Sequence, residues 1–240
     1  MARGAERPGP AFRSLVAALR HYYGKPPRPI SRDPFRLILW EQVAYLVNDA
    51  RRRQAYAALR TQVGLTPAAI VSADDTRLRA IARLGGPIAA DVRAGRLRRS
   101  AELVIGRWNG NLRTALRLPL GQARKAIAQF AMIGEPGADK ILVFCRRAPF
   151  LPLDSNALRV LRRLGLIPDR KDHRTTYRQA QVTLAPMLPR DSDSLGDAYH
   201  LLRRHGQELC RTSEPACPQC PLRTRCDFAA GRRRGSVVRG

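Results

Sequence analysis

Apolar residues recur at three- and four-residue intervals along nearly the whole chain, and the alternation expected of strands is almost absent. AFRSLVAALRHYY reads as a first helix, ended by the prolines of KPPRPIS. DPFRLILWEQVAYLV is the most apolar helix, with Asp33 as its N-cap and Pro34 at its first helical position. DARRRQAYAALRTQVG, TPAAIVSA and DDTRLRAIARLGG follow, with Thr66 and Asp74 as caps on the last two. RAGRLRRSAELVIGRW and LGQARKAIAQF come next and, after a tight turn, ADKILVFCR. DSNALRVLRRLGL, TTYRQAQVTLAPML and DSLGDAYHLLRRHGQELC complete an all-α chain of about ten helices. No internal repeat and no sustained heptad seam is present.

Composition adds a partner to this outline. The 240 residues include 44 Lys and Arg against 19 Asp and Glu, a net charge of +25. Only Lys25, Lys125, Lys140 and Lys171 are lysine; every other basic residue is arginine, spread from end to end. A coding bias can account for the choice of arginine but not for the missing acids, so a polyanion, most simply nucleic acid, is the expected partner. Apolar residues make up 44%, enough for a core, and no apolar run could span a bilayer. The opening MARGAERPGP lacks a secretory pattern, so a cytoplasmic protein is expected. The residues after Cys226 end in GRRRGSVVRG, which offers nothing to bury and is expected to be disordered.

Four cysteines fall inside one short segment, Cys210-x6-Cys217-x2-Cys220-x5-Cys226. A disulfide pair is disfavoured in a chain without an export signal. Four thiolates suit a structural zinc ion or a [4Fe–4S] cluster, and spacing alone leaves both open. The fifth, Cys145, beside Phe144 on an apolar helix, reads as core. HGQELC leading into this cysteine run resembles the C-terminal cluster of the endonuclease III family of DNA glycosylases, and the resemblance implies that Cys210, Cys217, Cys220 and Cys226 hold [4Fe–4S]. That cluster would shape a DNA-contacting loop and take no part in hydrolysis.

FAMIGEPGADKILVF resembles the helix-hairpin-helix element of the same superfamily. A tight turn feeding a helix N-terminus is also an anion site in its own right. The resemblance implies phosphate contacts along Gly134, Glu135, Pro136, Gly137 and Ala138, with Lys140 following. Met132 stands where the family has glycine, leaving Gly134 and Gly137 to supply backbone freedom. LPLDSN then places Asp154 seventeen residues after Gly137, at the family's catalytic aspartate. Asp-Ser at a helix start is also an ordinary N-cap, and a carboxylate there is favoured in its charged form, which suits a developing oxocarbenium ion. Pro136 occupies the slot of the Schiff-base lysine of the bifunctional members, and proline has no amine. Lys140 lies one helical turn further on and is expected to face a different direction.

The helix FRLILWEQVAYLV carries Glu41, whose neighbours at three and four residues are Leu37, Ile38, Ala44 and Tyr45. Desolvation in such a stripe disfavours the charged form, the profile of a general acid, unless a nearby arginine pairs with it. Pro34-Phe35 resembles the Pro-aromatic pair of the adenine- and thymine-mismatch branches and puts Glu41 on their catalytic glutamate. Leu46 or Asn48, in the following loop, falls where relatives insert a plug into the helix.

The expected architecture is a two-lobed helix-hairpin-helix glycosylase fold. A six-helix barrel with the hairpin spans 31–146, a cluster lobe takes 9–30 and 147–228, and basic tails occupy 1–8 and 229–240. The hairpin, Glu41 and Asp154 should face one flipped nucleotide in the cleft between the lobes. The expected activity is monofunctional base excision by a monomer on damaged or mismatched double-stranded DNA, with uracil or mismatched thymine favoured. The alternatives are a glycosylase with lyase activity through Lys140 or another amine, and a non-catalytic damage-binding protein.

Overall fold

A computed structural model describes residues 10–168 and 172–231. Among these residues there are eleven α-helices, a few short 3-10 turns and no strand, the all-α architecture read from the periodicity. The backbone divides into two units, one of residues 30–148 and one that joins the residues before 30 to those after 148. The expected tails lie outside the described residues, except for 229–231, which continue a turn after Cys226. No helix among the described residues is long and apolar enough to cross a membrane.

In the central unit the order is α2 (Pro34–Gln42), α3 (Asp49–Gln62), α4 (Pro67–Ser72), α5 (Asp75–Leu84), α6 (Ala90–Trp108), a 3-10 turn (Leu112–Arg117), α7 (Leu120–Ala128) and α8 (Gly134–Phe144). The longest helix, α6, packs against α2, α4 and α5, and α8 packs against α7 and α2. Ile38, Leu39, Leu59, Ile70, Leu97 and Ile127 are at most 1% exposed at its core. Each such side chain contributes about 1.5–3 kcal/mol by leaving water. The caps follow the sequence: Asp33, Thr66 and Asp74 accept from the amides of Arg36, Ala69 and Arg77.

Three boundaries differ from the periodic reading. α2 stops at Gln42 and does not run on to Val47. Beyond it the Tyr45 amide donates to the Gly85 carbonyl at 3.2 Å, and Leu46 turns the chain in the left-handed region at φ 50°. A side chain on Gly85 would lie 2.1 Å from the Val43 carbonyl oxygen, so the two loops close only on glycine. α6 begins at Ala90, three residues before the expected start, with Arg93 buried inside it. The Arg93 guanidinium donates to the carbonyls of Ala82, Gly86 and Ile88, which holds the preceding turn shut. α8 begins at Gly134, so Gly-Glu-Pro-Gly is the first turn of the helix and not a loop ahead of it.

The other unit contains α1 (Pro10–Tyr23), α9 (Ser155–Arg163), α10 (His173–Leu184), α11 (Ser192–Glu208) and a loop with short 3-10 turns at Cys217–Gln219 and Arg223–Arg225. α11 packs against α9 and α1 over Leu15, Leu19, Leu161, Leu195 and Leu202. A side chain on Gly206 would fall 2.7 Å from the Asn156 Cβ, so glycine sets the approach of α11 to the start of α9.

Candidate active site and cysteine pocket

Asp154 is the N-cap of α9, with extended backbone, and its Oδ1 accepts from the Ala157 amide at 2.8 Å. The other oxygen, Oδ2, faces the Asn156 amide nitrogen and Arg203 Nε, each at 3.4 Å. The cap and the carboxylate expected of a catalytic group are thus one residue with two differently engaged oxygens. Asn156 is itself held: Arg159 Nη2 donates to its Oδ1 at 2.8 Å and to the Gly206 carbonyl at 2.7 Å, while Nε donates to the Cys210 carbonyl at 2.8 Å. A chain of hydrogen bonds therefore runs from the first cysteine of the loop to the aspartate. Arg159 and Asn156 carry a signal in the sequence only as positions five and two after Asp154; Arg203 carries none.

In the central unit, Glu41 does not stand in a purely apolar surrounding. Lys140 Nζ lies 2.7 Å from its Oε2, and both side chains are largely buried, 16% and 24% exposed. The partner comes from α8, so no inspection of the Glu41 helix alone could supply it, and it is a lysine where an arginine was the foreseen alternative. The orientation expected for Lys140 also needs correction. α8 starts at Gly134, so Pro136 and Lys140 are four residues apart in one helix and share a face. The neighbouring Gln42, 1% exposed, donates to the Ala131 carbonyl and accepts from Ser100, each at 3.0 Å, and so ties α2 to the hairpin turn.

The hairpin itself is built differently from the expectation. Met132, not only glycine, takes a left-handed backbone, at φ 68°, as does Gly134 at φ 54°. Gly137 is an ordinary helical residue at which a Cβ would lie 3.1 Å from Ile133 Cγ2, so its missing side chain makes room for Ile133. Gly134 is exposed, Glu135, Pro136 and Gly137 are half-buried, and Ala138 is wholly buried and serves the core. No side chain caps this helix start. Glu135 pairs with Arg124 at 3.0 Å, and the same arginine clamps the fully buried Asp139, which fastens α7 to α8. In the loop after α2, Leu46 is 73% exposed, whereas Asn48 is engaged as the N-cap of α3 through the Arg51 amide.

Cys210, Cys217, Cys220 and Cys226 line one pocket together with His205, Arg163, Leu164 and Leu222. None of the four is in a disulfide. No group of three or more His, Cys, Asp or Glu among the described residues is gathered tightly enough to hold a single metal ion. Four thiols lining one pocket supply the ligand number of a [4Fe–4S] cluster or of a structural zinc site. Two donors reach the sulfurs, Arg163 Nη1 at 3.3 Å from Cys210 Sγ and the Leu222 amide at 3.4 Å from Cys220 Sγ, and His205 Nε2 lies 3.5 Å from Cys220 Sγ. Tyr23 OH meets His205 Nδ1 at 3.0 Å, and burial pushes that imidazole down to about 4, keeping it neutral. Burial raises the Cys145 thiol to about 12, although the residue is half-buried and not part of the closed core that was expected for it.

No family model matches the chain. It is 24% identical over 199 residues to endonuclease III of Sulfolobus acidocaldarius, covering 82% of this chain and 83% of that one. It is 23% identical over 220 residues to a thymine-DNA glycosylase of Aeropyrum pernix, covering 90% and 92%. Its fold matches that of a trapped endonuclease III–DNA covalent intermediate with a TM-score of 0.73 at 20% identity, covering 92% and 97%. The chain thus shares the fold of endonuclease III and is similar in sequence to endonuclease III and thymine-DNA glycosylases.

Proposed function

We propose that this protein is a monofunctional DNA glycosylase of base excision repair, which hydrolyses the N-glycosidic bond of a flipped damaged or mismatched base. Asp154 stabilises the sugar cation, Glu41 handles the proton, and the exposed start of α8 receives a phosphate. The observation that carries this reading is the Asp154 carboxylate: one oxygen is locked by its own helix, and the other, on a side chain 29% exposed, meets Asn156 and Arg203 only at 3.4 Å. The Ala157 amide holds the carboxylate in place at the start of α9, and a fixed anion is what a growing positive charge on deoxyribose requires.

The ion pair at 2.7 Å supports hydrolysis without strand cleavage. Pro136 offers no amine, and the nearest lysine on that face is an ammonium held against Glu41, the protonated form that cannot attack an aldehyde. Leu46, exposed and turned outward by a left-handed backbone, is the better candidate for the plug than Asn48, whose side chain is committed to a cap. Cys210, Cys217, Cys220 and Cys226 hold a [4Fe–4S] cluster that braces the loop they line.

A panel of duplexes carrying uracil, mismatched thymine or other lesions, treated with alkali after incubation, tests this. Base release that needs alkali to yield strand breaks, with no adduct trapped by borohydride, is the expected result. A trapped adduct that disappears in Lys140→Ala would overturn the monofunctional assignment. Tight binding with no base released from any duplex would overturn the enzymatic one.

A further inference from the structure

We propose that Lys140 is a catalytic residue that touches the departing base, its ammonium taking up the negative charge of a keto base that leaves as an anion, so that uracil- and thymine-like bases, not amino-purines, are the substrate class. This rests on the reading of Glu41 as the carboxylate beside the base. Lys140 is one of four lysines in a chain that otherwise uses arginine, and it lies largely buried on the face of α8 that also carries Pro136. A half-buried ion pair is a poor device for stability alone, since desolvation of both charges offsets most of their attraction.

The two ways of losing a base make different demands. An amino-purine needs a proton delivered to a ring nitrogen, and a carboxylate 2.7 Å from an ammonium is ionised and has none to give. A keto base can depart with the bonding pair delocalised onto its carbonyl oxygens. An ammonium has three N–H donors, so Lys140 can keep one on Glu41 Oε2 and aim another at such an oxygen. The steps balance. The C1′–N bond breaks and its electron pair stays on the base. The oxygen of water bonds to C1′, its proton passes to the Glu41 carboxylate and from there to the base anion, and Lys140 retains its own protons throughout.

The alternative role, a brace between α2 and α8, is separable by leaving-group chemistry. Single-turnover excision is measured for wild type, Lys140→Met and Lys140→Arg on duplexes holding thymine, uracil or 5-fluorouracil opposite guanine, with melting temperature followed in parallel. Loss of one donor to a developing anion costs roughly 100-fold in rate. The expected result is a loss of that size for Lys140→Met on thymine and uracil, a clearly smaller loss on 5-fluorouracil, whose anion is the more stable, and recovery to within about tenfold in Lys140→Arg. An equal loss on all three bases, following a fall in melting temperature, would reduce Lys140 to a brace and overturn the proposal. So would a wild-type protein that releases only adenine or alkylated purines. A wild type that releases no base at all fails at the earlier step and overturns the glycosylase reading itself.

Discussion

The two carboxylates proposed for the chemistry are anchored in opposite ways. Asp154 is fixed mainly by its own neighbourhood: the Ala157 amide three residues on, Asn156 two residues on, and Arg159 behind them, with Arg203 of α11 as a more distant partner at 3.4 Å. Glu41 is fixed by a side chain ninety-nine positions away in sequence, on another helix. A locally built anchor survives small shifts between helices, whereas a tertiary ion pair depends on the packing of α2 against α8. The aspartate should therefore tolerate conservative change structurally while losing function, and the glutamate should lose some of both.

The largest effect is expected for Asp154→Asn. Asparagine caps a helix about as well as aspartate, so melting should move little, while single-turnover base release falls roughly 1,000-fold with loss of the anion. A large fall in melting temperature would show that the residue's main work is structural. Glu41→Gln comes second: a rate loss of about 100-fold, accompanied by destabilisation of about 1–3 kcal/mol as Lys140 loses the carboxylate 2.7 Å from its ammonium. Denaturant titration of the two variants side by side measures the contrast directly. Arg159→Met probes the local anchor from behind, because it frees Asn156, Gly206 and the Cys210 carbonyl together. Its expected cost is about 2–3 kcal/mol, with slower base release and faster bleaching of cluster absorbance in air. Unchanged bleaching would separate the aspartate from the cysteine loop. The smallest effect is expected for Met132→Gly, which relieves a left-handed backbone and should stabilise by about 1 kcal/mol in thermal melts, without altering the choice of base.

The same contrast explains what could be read from the sequence. Helix caps are local, so Asp33, Thr66, Asp74 and Asp154 were legible as residue types at helix starts, and each accepts the expected amide hydrogen bond. The end of α2 was not legible, because apolar periodicity continues through Val43 and Ala44 while Gly85, far along the chain, supplies the contact that bends the backbone away. The pairing of Glu41 with Lys140 was hidden for the same reason. Its helix shows only apolar neighbours, and Lys140 shares a face with Pro136 because α8 already begins at Gly134. Met132 illustrates a third case: a left-handed backbone at a residue type that disfavours it is invisible to propensity, since the surrounding turn imposes it.

Several arginines serve as construction material. Arg93, Arg98, Arg147, Arg159 and Arg163 each donate to main-chain carbonyls of neighbouring segments and tie those segments together. Guanidinium groups spent in this way are not at hand to displace ions condensed on a duplex. The ionic-strength dependence of binding will accordingly report a contact number well below what the formal +25 suggests, and the cationic character of the chain measures its masonry as much as its grip.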